Sequence, residues 1–161
     1  LGYRRGIEAG ARGRHGVSEP RRPVLRTLGI DPGTKRIGLA LGVGDVASPH
    51  RVVLRSRDLE GDLRSIVADI DEFEVAVVVV GLPLGLDGRP GAAARAATSL
   101  AEHLARLTDV PVEMHDERLT TVTAERSLLE AGLDARRRRE VVDKVAAAVM
   151  LQSWLDSRSA R

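Results

Sequence analysis

No cysteine occurs among the 161 residues. A disulfide framework, a zinc–thiolate centre and a thiol nucleophile are therefore excluded, and a reducing compartment is allowed. We expect a cytoplasmic protein. Long apolar runs are also missing, Val75–Val80 being a short one, so a bilayer-spanning segment and a membrane partner are not expected. The basic N-terminus lacks the apolar region of a signal peptide. No internal repeat is present. Net charge is nearly absent, with 25 Lys plus Arg against 23 Asp plus Glu. Lysine itself is scarce, and nearly all cations are arginine. Guanidinium binds phosphate oxygens in a bidentate fork, which favours a phosphate-bearing partner; a genome-wide arginine bias would leave the same trace.

What remains has the 43% apolar content of a globular protein, and the length suits one domain with its own core. Residues 1–23 are rich in Arg and Gly and read as a disordered basic tail. From Val24 to residue 157 the pattern is that of a folded domain, leaving 158–161 as a short C-terminal tail. Strands are expected over Val24–Ile30, Ile37–Val43 and Arg51–Leu54, separated by turns at Gly44-Asp45 and Ser48-Pro49. A helix over Asp58–Asp71 follows, then a central strand at Val75–Val80 that is continuously apolar, β-branched at all but Ala76, and suited to burial on both faces. A helix over Ala92–Leu107, a strand at Val110–His115 and helices over Val122–Ala131 and Arg138–Asp156 complete an α/β domain with a mixed five-stranded sheet.

Two acidic motifs and one helical acid carry the chemistry. Asp31 ends a buried strand and precedes Pro32-Gly33-Thr34, a turn whose glycine lets backbone approach a ligand closely; an aspartate capping its own turn is the plainer reading. Asp116-Glu117-Arg118 follows another strand, with Thr120 or Thr121 able to cap the next helix. Functionally, Glu117 would bind metal and Arg118 would contact phosphate, although a surface ion pair gives the same pattern and the choice between Asp116 and Glu117 stays open. Asp143 falls on the edge of its helix's apolar arc, between Met150 and Trp154. A charge there must be paired or titrate neutral, and Lys144 projects from another angle. Burying these carboxylates is costly unless a partner neutralises them. Together they read as a split site for Mg²⁺ or Mn²⁺, hard cations that prefer oxygen ligands. Arg136–Arg139 lie near Asp143, where a phosphodiester backbone would pass. His115 is a general base or simply a strand residue.

Leu28–Gly38, Gly81-Leu82-Pro83-Leu84 with Asp87-Gly88, Asp116–Thr121 and Val142–Ala147, in this order, resemble the YqgF/RuvX family, Holliday-junction-resolvase-like proteins regarded mainly as pre-16S rRNA nucleases. The likeness covers about Leu25 to Trp154. It implies a ribonuclease-H-like fold and endonucleolytic hydrolysis with Mg²⁺ or Mn²⁺, in which Asp31, Glu117 and Asp143 match the family's acidic triad. Thr34, Lys35 and Arg118 would hold the scissile strand, with Arg136 and Arg137 as further contacts. The implied partner is nucleic acid, either precursor rRNA in ribosome biogenesis or branched DNA in recombination and repair, with the chain a monomer or a homodimer. Resolvases of this fold carry an acid at the end of the fourth strand, where this chain has Gly81, and the glutamate instead follows the fifth. A non-catalytic RNA-binding assembly factor is the alternative outside enzymes. An actin-like ATPase or sugar kinase also starts with an Asp-x-Gly-Thr turn, but needs two such domains.

Overall fold

Leu28 and Ile30 alternate with Gly29 and Asp31, and in an extended chain this sends the large apolar pair to one face and the aspartate to the other. The computed structural model describes residues 23–85, 87–118 and 134–161. In it the alternation becomes β1 (Arg26–Pro32), the middle strand of a five-stranded sheet. The other strands are β2 (Arg36–Val43), β3 (Val46–Leu54), β4 (Val77–Leu82) and β5 (Val112–Asp116), in the order β3-β2-β1-β4-β5. The β3-β2 and β2-β1 pairs are antiparallel; β1-β4 and β4-β5 are parallel.

The two faces bury different surfaces. Helices α1 (Leu59–Glu72) and α2 (Ala92–Leu107) cover one, where Leu28, Ile30, Leu39, Val78 and Val80 meet Leu63, Ile66, Leu100 and Leu104. The other takes α3 (Ala135–Ser159), whose Ala147, Leu151 and Trp154 pack on Ala40 and Val79. Asp143 lies one turn before Ala147 on that same stripe. Leu151 is fully buried, so a truncation to Ala that cost the usual ~2–5 kcal/mol would also loosen the helix that carries Asp143.

Several boundaries differ from the sequence expectation, each for a local reason. Ser48-Pro49 does not break the chain, because β3 is an edge strand and its pairing skips a residue where Leu39 faces Arg51 and Ala40 faces Pro49. Proline is tolerated at such an edge irregularity. β1 runs on through Asp31 to Pro32, and β4 through Gly81 to Leu82, since both remain hydrogen-bonded to neighbours. The final helix starts at Ala135, ahead of Arg138, because the Asp134 carboxylate accepts from the Arg136 and Arg137 amides. It also continues to Ser159, three residues past Asp156. The basic tail over 1–22, the helix expected at Val122–Ala131 and its Thr120-Thr121 cap lie outside the described residues. No helix among the described residues is long and apolar enough to cross a membrane.

Candidate active site

Asp31 stands at the C-terminal end of the middle strand, and both of its neighbouring strands carry glycine beside it. On β2 its register partner is Gly38. On β4, Gly81 sits level with it, one residue past the Ile30–Val80 pair. A Cβ added at Gly81 would overlap the Glu117 carboxyl group, and one added at Gly38 would overlap the backbone carbonyl of Asp143. The two missing side chains are thus the space through which the other acids arrive. Glu117 is pinned there just beyond β5, its amide donating to the Leu82 carbonyl at 3.1 Å.

The resulting cluster is tightly interacting. The Asp31 and Glu117 carboxyl groups are hydrogen-bonded to each other, and Asp143 is close enough to repel Asp31. Burial and the adjacent Asp31 charge push Glu117 up to about 9, so Glu117 holds the proton and donates it to Asp31. Burial raises Asp31 as well. Asp143 is paired, with Arg36 Nε donating to its Oδ2 at 2.5 Å. Among the described residues no group of three His, Asp or Glu side chains already stands in metal-chelating geometry. The donor set nonetheless suits a hard divalent cation: three carboxyls on the α3 face, two of them sharing a proton for want of a counter-charge.

The remaining candidates separate. Asp116 does not join Asp31; it takes Arg118 in a two-toothed pair, 2.6 Å to Nε and 2.5 Å to Nη2, and the guanidinium holds its carboxyl below the usual range. Arg118 is thereby committed on two nitrogens, with Nη1 against Gly88 of the loop after β4. Thr34 and Lys35 are exposed at the β1–β2 turn. The turn itself needs Gly33 because a Cβ there would strike the Arg36 carbonyl, which accepts from the Gly33 amide at 2.9 Å. Hairpin closure, rather than ligand approach, explains that glycine. His115 is a strand residue in register with Gly81, its Nε2 3.0 Å from Ser153 Oγ. Arg136 and Arg137 are exposed in the first turn of α3, where the helix dipole disfavours cations and an anion would be welcome. Sequence reasoning missed Arg36 and Gly38. The Lys35-Arg36-Ile37-Gly38 run sat inside the recognised motif, but only the register shows what it faces.

Because folded Glu117 keeps a proton that the unfolded chain loses near its ordinary 4.5, the native state binds more protons between about 4.5 and about 9. Stability of the metal-free protein should therefore fall as pH rises through that window. Glu117→Gln, neutral throughout, should match the parent near pH 4 and melt above it at pH 8, by roughly 5 °C, given that ~1 kcal/mol moves the melting temperature about 2–4 °C in a chain of this size. Parallel pH dependences for the two proteins in EDTA would count against the shared proton.

A mixed sheet in this strand order, with a carboxyl cluster at the end of its middle strand and a long helix across that face, defines a ribonuclease-H-like domain. Residues 25–157 match RuvX, described as Holliday junction resolvase, and the chain belongs to that family. A protein from Anaeromyxobacter sp. (strain Fw109-5), named "Putative pre-16S rRNA nuclease", is 55% identical over 138 residues, which are 84% of this chain and 100% of that one. One of the same name from Rhodococcus opacus (strain B4) is 47% identical over 152 residues, 91% of this chain and 84% of its own length. The structure of T. thermophilus RuvC in complex with Holliday junction substrate superposes with a TM-score of 0.56 at 21% identity, covering 84% of this chain and 96% of that one, and shares the fold.

Proposed function

We propose that residues 24–157 form a cytoplasmic, divalent-metal-dependent endonuclease that hydrolyses phosphodiester bonds of structured nucleic acid, and that its substrate is the 5′ end of pre-16S rRNA. The observation that carries this reading is the convergence of Asp31 and Glu117 beside Asp143 at one strand end. Asp31, Glu117 and Asp143 would hold Mg²⁺ or Mn²⁺, which supplies an activated water and offsets charge on the leaving oxygen. Relatives at 47–55% identity carry the pre-16S rRNA nuclease name, which favours RNA. The family description and the RuvC fold favour a second reading, cleavage of a four-way DNA junction, for which a homodimer would match the two-fold symmetry of the substrate. Lys35, Thr34 and the α3 arginines lie on exposed segments where they can meet a phosphate backbone. Arg118, already engaged by Asp116, would contact it through Nη1.

Incubating the purified chain with precursor 16S rRNA and with a four-way junction, each with Mn²⁺, tests the reading directly. Cleavage of the rRNA alone supports it, cleavage of the junction alone transfers it to DNA, and binding without cleavage of either makes the protein an assembly factor. Replacing Arg136, Arg137, Arg138 and Arg139 by Gln should weaken binding at 50–100 mM salt and flatten its salt dependence, each lost phosphate contact lowering the log–log slope by about 0.7–0.9. An unaltered slope would mark these arginines as a solvated face.

A further inference from the structure

The three acids differ in what they face. The Asp31 and Glu117 carboxyl groups are hydrogen-bonded to each other, whereas Asp143 is paired with a cation, Arg36. Arg36 comes from β2 on the α3-facing side, two residues along from Gly38, and reaches Asp143 across 107 positions of chain. Its side chain is 29% exposed and that of Asp143 25%, so the pair is half-buried and screened less than a surface pair. The contact is made through Nε and one carboxylate oxygen, at 2.5 Å.

We propose that Arg36 is the resident counter-ion of the acidic site, occupying the Asp143 carboxylate in competition with the metal and released when the metal binds. This rests on the metal-site reading above. A cation at Asp31 and Glu117 that also took Asp143 as an oxygen donor would compete with the guanidinium, which engages Oδ2 of Asp143. Exchange gives the Asp143 carboxylate a counter-ion when no metal is bound, at the cost of metal affinity. Once displaced, the guanidinium stays on the rim of the cluster, where planar donors suit a phosphodiester oxygen. Metal loading and substrate grip are then coupled through one side chain.

The test is Mn²⁺ affinity, measured by calorimetry and by melting on the full chain, for the parent, Asp31→Asn, Arg36→Gln and Lys35→Gln. Arg36→Gln should bind Mn²⁺ about two- to fivefold more tightly than the parent, the range expected when an ion pair of this kind stops competing. Lys35→Gln, which removes the same charge from the exposed turn, reports the long-range electrostatic share and should change affinity by less. Melting in EDTA confirms that each variant is folded, and Arg36→Lys, keeping the charge without the fork, should fall between parent and Gln. Equal effects of Arg36→Gln and Lys35→Gln, or weaker binding in Arg36→Gln, would overturn the proposal; weaker binding would make Arg36 a positioning residue for Asp143. Absence of Mn²⁺ binding in the parent, or binding that Asp31→Asn leaves intact, would instead overturn the metal-site reading.

Discussion

Asp31→Asn should give a folded protein that no longer cleaves nucleic acid in Mn²⁺. The side chain keeps its shape, and its amide oxygen can still accept the Glu117 proton, so the β1 end and its pairing with Gly38 are undisturbed. What disappears is the negative charge between the other two acids. A metal's catalytic contribution amounts to several kcal/mol of charge stabilisation, so activity should fall on the order of 10³-fold or more. The metal-free melting temperature should equal or exceed the parent's, because burial and Asp143 already make the Asp31 charge costly. In the parent, Mn²⁺ at about 100 times its dissociation constant adds ~2.7 kcal/mol, or roughly 5–10 °C, and the variant should lose most of that rise. A folded Asp31→Asn with full activity would sink the assignment.

Gly81→Ala should be nearly as inactive, though it removes no functional group. The added Cβ would meet Oε1, Cδ and Cγ of Glu117, the far end of a flexible side chain, so the carboxyl swings aside and the sheet survives. Displacing one site carboxyl by about 1 Å can cost on the order of 10²-fold in rate. The melting temperature should move little, or rise as Glu117 gains solvent. Gly38→Ala provides the contrast: its Cβ would strike the Asp143 backbone carbonyl, which cannot rotate away without shifting α3. That variant should lose stability, about 1–3 kcal/mol for overpacking, along with activity. Cleavage rates and melts of both separate the two glycines; a fully active Gly81→Ala would show that Glu117 works from elsewhere.

Much of this was legible in residues close together in the chain. The alternation around Leu28–Asp31, the β-branched run before Gly81 and the helical spacing of Leu63, Ile66 and Ile70 report backbone period and burial, which are local properties. They were enough for a mixed five-stranded sheet with Asp31 at the end of a buried strand; that this strand is the middle one is shown only by the strand order. They also placed Asp143 on the edge of an apolar stripe, with a charge that had to be met. Ser48-Pro49 misled, because a proline in an edge strand and a proline in a turn look alike until the neighbouring strand is known.

The sequence by itself therefore determined the elements among the described residues, the faces they bury and the three acids worth watching. Only the tertiary structure decided which of those acids stand together. It brought Glu117, just past the end of β5, into the space above Gly81 beside Asp31, and turned Asp116 to Arg118. It supplied Arg36 as the partner of Asp143, a contact spanning 107 positions that no local period encodes. It also showed why Gly38 and Gly81 flank Asp31. Register across β2-β1-β4 is set by cooperative pairing of strands distant in sequence, and the room for a second and third carboxyl exists only once those strands lie side by side.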